Sequence, residues 1–185
     1  MTNDIDYASW FSAIATLFAV LVALYIPHKQ MERDRLSKFN EINMRLYQSS
    51  TLFFLTGDCL KKINIFLDSG VGSADFIRNS NELISDLDFL MIHIENLSIY
   101  DMPDQISIKY LAVLVSSINS LKEKILGLGQ ESCKSSSHEA AVKSLITLEA
   151  NNAAEFAKNI DEAFNKKIQE NKASYNSGGL PLDLK

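Results

Sequence analysis

The sequence predicts an all-α protein: one N-terminal transmembrane helix followed by an antiparallel four-helix bundle with a long membrane-proximal helix. Three observations predict it. Residues 8–26, ASWFSAIATLFAVLVALYI, form an apolar run with no charge and no proline before Pro27. The rest of the chain shows four stretches in which apolar residues recur at alternating spacings of three and four, the period of a helix face. With 7 Gly and 3 Pro in 185 residues, long uninterrupted helices are easily accommodated, and no alternating strand-like stretch or internal repeat stands out.

At 1.5 Å per residue the apolar run makes roughly 28 Å of helix, about the thickness of a bilayer's hydrocarbon core. Its Leu, Ile, Val and Phe residues favour insertion by roughly 3–5 kcal/mol. A secretory signal peptide would open on basic residues, whereas MTNDIDY carries Asp4 and Asp6 and no Lys or Arg. On a helical wheel Ala8, Ser9, Ser12, Ala15, Thr16, Ala19 and Ala23 gather on one side, opposite Trp10, Phe11, Leu17, Phe18, Leu21 and Leu24. Small residues allow close helix–helix approach in lipid, so Ala8, Ser12, Ala15, Thr16, Ala19 and Ala23 are the predicted packing face. No glycine occurs in the run, so the motif is Ala-xxx-Ala-xxx-Ala rather than GxxxG.

Lys29, Arg33, Arg35 and Lys38 follow the run directly, and Arg45 comes a little further on. Basic residues are retained on the cytoplasmic side, which predicts N-terminus out, one pass of the bacterial inner membrane, and the remainder inside. The same four residues are placed to meet lipid headgroups. The resulting division is an external tail (1–7), a transmembrane helix (8–27), a cytoplasmic helical bundle (28–172) and a flexible tail (173–185). Pro27 is expected to bend the chain or break the helix at the junction.

The first bundle helix carries a coiled-coil-like seam of Phe39, Ile42, Leu46, Ser49, Phe53, Thr56, Leu60, Ile63 and Leu67, with Gly57 as a possible kink or break. It ends at the turn signal Asp68-Ser69-Gly70-Val71-Gly72. Ser73 can cap a second helix running to about Tyr100, with a seam of Leu83, Leu87, Leu90, Ile94 and Leu97. Pro103 suits the first turn of a third, whose heptad is Leu111, Leu114, Ile118, Leu121, Ile125 and Leu128, stopped by Gly127 and Gly129. After the polar stretch 130–137, Ser136 and Glu139 form a capping box for a fourth helix. That helix shows Val142, Ile146, Ala153, Phe156, Ile160, Ala163 and Phe164 on one side, interrupted by Asn151 and Asn152. Short connections between such helices favour antiparallel neighbours.

Composition narrows the function classes. All 18 basic residues lie after the apolar run, against 21 of the 23 acidic ones, which argues against a dedicated nucleic-acid binder. Cys59 and Cys133 read as free thiols, Cys59 as a small buried hydrophobe. His28, His93 and His138 lie on three separate elements, and Cys133 with His138 makes weak metal spacing without two further ligands. No Glu-x-x-His, Walker loop, dinucleotide fingerprint or nucleophile elbow occurs. Asp86/Asp88 and Asp161/Glu162 read as solvated helix faces. No catalytic residue, metal site or cofactor is therefore expected, and the protein is read as non-enzymatic.

The stretch WFSAIATLFAVLVALY over residues 10–25, followed by a basic helix, resembles a recurring N-terminal anchor. It is found in small single-pass membrane proteins of bacterial chromosomes, plasmids and prophages. The likeness covers about a fifth of the chain and leaves the bundle unassigned. Proteins of that layout include membrane effectors of anti-phage systems, so the resemblance implies antiviral defence as one setting. The residues themselves support an anchored interaction protein whose partners are the bilayer and either a second copy or another membrane protein. A membrane-perturbing effector acting by oligomerisation of its span is the alternative. A membrane-associated enzyme is the third class and lacks candidate residues.

Overall fold

The computed structural model describes residues 7–70, 74–130 and 136–177. Within them the chain is all-α, with no strand. Its helices are α1 (Tyr7–Asp68), α2 (Ala74–Glu95), α3 (Gln105–Gln130) and α4 (Ser136–Asn176), with one 3₁₀ turn at Ile99–Asp101 between α2 and α3.

The apolar seams do the packing. Phe53, Leu60 and Ile63 of α1, Phe76 and Leu87 of α2, Leu114, Ile118, Leu121 and Ile125 of α3, and Ile146, Ile160 and Phe164 of α4 are fully buried in one core. Nearly every seam position read from the sequence is buried or half-buried. Helices α1 and α3 each pack chiefly against α2 and α4. The register of α1 on α4 is antiparallel: Phe39 stacks on Tyr175 at 4.3 Å between ring centroids, and Phe53 on Phe164 at 5.8 Å. Phe66 meets Phe76 at 4.5 Å across α1 and α2, and Tyr110 meets Phe156 at 5.6 Å across α3 and α4. Ion pairs Lys122–Asp88 and Lys124–Glu149 bridge α3 to α2 and to α4 at the rim.

Several helix ends differ from the sequence reading, each for a physical reason. Gly57 neither kinks nor breaks α1; it is buried against the alanine-rich face of α4. A Cβ built on it would sit 3.7 Å from the Ala154 carbonyl oxygen and 3.7 Å from the Ala157 Cβ, ordinary van der Waals contact. Gly57→Ala therefore adds helix propensity without a clash, and urea unfolding should show a gain of about 0.5–1 kcal/mol. Helix α3 likewise runs through Gly127 and Gly129 to Gln130, held by the buried Leu128 between them. Pro27 lies inside α1, and the helix continues through it.

Helix α2 stops at Glu95 rather than near Tyr100. The Asn96 side-chain amide donates to the Ile92 carbonyl at 2.7 Å, and the Ser98 hydroxyl accepts from the Tyr100 N–H to cap the 3₁₀ turn. Pro103 precedes α3 instead of opening it. The N-cap is Asp104, whose carboxylate accepts from the Ser107 N–H at 2.6 Å. That backbone hydrogen bond holds the Asp104 carboxyl below the usual carboxylate range. Helix α4 extends four residues past Lys172, because Lys172 and Tyr175 find partners on α1. At the end of α1, Gly70 takes a φ of +84°, a left-handed conformation that glycine adopts without strain. Ser73, the expected cap of α2, lies outside the described residues, as does the side chain of Ser136.

Candidate functional site

Two features of α1 define the candidate site: a segment at its N-terminal end that no other helix covers, and a groove where the packed body begins. Among the described residues, the first buried one of α1 is Asn43. From Tyr7 to Asn43, about 54 Å of helix extends beyond the core at 1.5 Å per residue. This stretch contains the one helix segment among the described residues long and apolar enough to cross a membrane. Its mean hydropathy is 2.0, and none of it is buried inside the protein. A core helix of similar composition would be mostly covered by its neighbours. Here Trp10, Phe11, Leu17, Phe18 and Leu24 all expose more than 60% of their surface.

Of the predicted packing face, Ser12, Ala15, Thr16, Ala19 and Ala23 are exposed along the same segment. The side chain of Ala8 lies outside the described residues. Thr16 donates its hydroxyl to the Ser12 carbonyl at 2.8 Å, so that polar group is satisfied within its own helix. A hydroxyl bonded in this way tolerates an apolar surrounding, which an unpaired one would not.

The basic cluster follows directly. Lys29 pairs with Glu32 at 3.1 Å on the surface, raising the lysine and lowering the glutamate from their ordinary values, chiefly through their shared hydrogen bond. Arg33 and Lys38 are exposed, and Arg35 is half-buried. A shallow groove of about 650 Å³ is lined by Tyr25, Ile26, Lys29, Arg33, Leu36 and Tyr175. The structure thus brings the end of α4 to the basic segment, a juxtaposition the sequence pattern did not signal.

The larger groove, about 840 Å³, lies between α1 and the α2–α3 connector. Its lining includes Arg45, Leu46, Ser49 and Leu52 of α1, His93 of α2, Tyr100, Met102 and Pro103 of the connector, and Lys167 of α4. Met102 is buried and anchors the connector, while Tyr100 is 98% exposed at its tip. Arg45 is engaged by Glu41 at 2.7 Å. The break between two seams at Asp101-Met102-Pro103-Asp104 is the sequence signal for this connector, though not for the groove it closes.

Among the described residues no three His, Cys, Asp or Glu side chains gather where they could hold a metal ion. Cys133 lies outside them. His93 is exposed, with its ring edge-on to Phe89 at 4.5 Å. Asp161 accepts hydrogen bonds from the Ser50 hydroxyl and the Asn165 side-chain amide, and Glu162 pairs with Lys158 at 3.5 Å. Asn151 and Asn152 are exposed. Burial pushes the Cys59 thiol up to about 11, which keeps it protonated and unreactive at neutral pH. No protein family, curated protein or solved structure matches the chain.

Proposed function

We propose that this protein is a membrane-anchored, non-enzymatic helical protein that self-associates or docks a partner at the bacterial inner membrane. In this reading α1 makes a single pass with its N-terminus outside, and its cytoplasmic part joins α2, α3 and α4 in an antiparallel four-helix bundle. The observation that carries the reading is the apolar segment of α1, long enough to span a bilayer and covered by none of the protein's own helices. A soluble domain exposing so large a contiguous apolar surface would be an aggregation hazard. Lys29, Arg33, Arg35 and Lys38 on the body side support the orientation through the positive-inside rule.

The continuity of α1 gives the anchor a mechanical role. An unbroken helix through Pro27 couples the span to the body without a flexible linker, so contacts made in the membrane set the azimuth of the body, and the reverse. Ser12, Ala15, Ala19 and Ala23 then offer the surface on which another helix could approach closely.

The test is crosslinking of the full chain in native membranes, followed by the mass of the detergent-extracted complex. A defined homomeric or heteromeric species is expected, and Ala19→Leu should reduce its yield several-fold without releasing the protein from the membrane. A strictly monomeric chain with no crosslinked neighbour overturns the proposal.

A further inference from the structure

Asn43 and Asn171 are both buried, and none of their four side-chain amide atoms has a hydrogen-bond partner. Other buried polar side chains are paired: Thr56 and Ser80, for example, donate to the Leu52 and Ile77 carbonyls. The antiparallel register places the two asparagines opposite each other. Phe39 stacks on Tyr175, and one turn further along each helix, toward the core, come Asn43 on α1 and Asn171 on α4.

Their position matters more than their number. Past Leu46 on α1 and Ile168 on α4, Asn43 and Asn171 are the only buried ones among the described residues of either helix as the pair runs toward the basic segment. Beyond Ile168 the final turns of α4 thus rest on α1 through a polar layer, with no buried apolar side chain among the described residues there. Contacts at the rim also hold them, among them the half-buried Phe39–Tyr175 stack and Lys172, which donates to the Tyr47 hydroxyl at 2.7 Å and lies 5.3 Å from that ring's centre. Opening this segment hydrates four amide atoms that the closed state leaves unpaired, and the apolar surface it uncovers belongs to half-buried side chains such as Phe39 and Tyr175. Both effects make opening easy.

We infer that residues 169–176 of α4 form a releasable strap on α1, with Asn43 and Asn171 as its built-in weak layer. Release bares Phe39 and Asn43, on the face of α1 that lies between the apolar segment and the core. The strap is therefore placed to control access to the part of α1 that connects the two. This inference rests on packing alone and stands whether or not the N-terminal segment crosses a membrane.

Amide exchange on the full chain in detergent micelles, read by mass spectrometry, tests it. Residues 170–177 should exchange about 100-fold faster than residues 153–164 of the same helix, the signature of sub-global opening. The pair Asn43→Leu/Asn171→Leu replaces the unpaired amides by apolar contact and should slow exchange in 170–177 about tenfold, with residues 83–94 unchanged. Phe39→Ala, which leaves the asparagine layer in place, should speed it. Equal protection along α4 in the wild type overturns the strap. So does rapid exchange indifferent to both variants, which is simple fraying of a helix end. Faster exchange of 170–177 in the double-leucine chain, with α2 still protected, overturns it as well.

Discussion

Phe164→Ala should lower the unfolding free energy of the helical body by about 3–5 kcal/mol, the usual cost of deleting a fully buried aromatic ring. Phe164 has no exposed surface and lies against Phe53, also fully buried, with the rings 20° from parallel. Removing the ring leaves a cavity between α1 and α4, the pair on which the closest packing of the body depends. Just beyond it, Gly57 of α1 faces the Ala154 carbonyl and the Ala157 Cβ of α4 across the same interface. A domain of this size has roughly 5–15 kcal/mol of stability in total, so the loss is a large share of it. Urea unfolding of the full chain in detergent measures it. Phe54→Ala is the internal control, because the neighbouring Phe54 is 62% exposed and its truncation should cost under about 0.5 kcal/mol. Phe53→Ala combined with Phe164→Ala should fall short of additivity by about 0.5–1.5 kcal/mol if the two rings interact as placed. A loss below about 1 kcal/mol for Phe164→Ala would remove it from the centre of the core.

That contrast between adjacent phenylalanines was legible in the sequence. The 3–4 spacing puts Phe53 on the seam of α1 and Phe54 off it, and the same arithmetic places Leu114, Ile118, Leu121 and Ile125 inside and Val113 outside. Periodicity reports which side of a helix faces the core, because burying one stripe is what stabilises the helix at all. It reports ends less well. Gly57 and Gly127 are locally unfavourable in helices by about 1 kcal/mol, an amount that the buried neighbours Phe53, Leu60 and Leu128 outweigh. Pro103 suits the first turn of a helix and so masks the cap at Asp104, whose carboxylate one residue later satisfies that turn.

Polar residues inside an amphipathic pattern are the harder case. Asn43 and Asn171 look like solvent-facing positions until the register of α1 on α4 sets them opposite one another. That register depends on residues 128 positions apart in the chain, which no local spacing encodes. Ser50 and Asp161 are a second such pair, joined by a hydrogen bond across the same two helices. The candidate site divides along the same line. The exposed small-residue face was readable as composition and spacing within a single helix. Both grooves combine distant segments, Tyr175 with Tyr25 in one and Met102 with Leu46 in the other, and were not.

Leu17→Arg/Leu21→Arg should move the full chain from the membrane pellet to the soluble fraction without altering the stability of the body. An arginine near the centre of a span opposes insertion by about 2.5–3.5 kcal/mol. Two of them, with two leucines lost, exceed the roughly 3–5 kcal/mol by which the run favours insertion. The positions are four apart and therefore on one side of the helix, opposite Ala15, Ala19 and Ala23. They are 62% and 55% exposed and lie more than five turns from Asn43, so neither the packing face nor the core is touched. This separation gives the experiment its force. Ala19→Leu alters the small face and keeps the run apolar, and the arginine pair does the reverse. If the span works by insertion followed by close helix approach, Ala19→Leu leaves the protein in the pellet with its complex diminished, and the arginine pair abolishes both. Retention of the arginine variant in a carbonate-washed pellet would mean that some other part of the chain holds it there, and the basic segment at Lys29, Arg33, Arg35 and Lys38 would be the next place to look. Release of the protein with its complex intact would instead locate the association in the helical body, leaving the alanine face as nothing more than the thin side of an anchor.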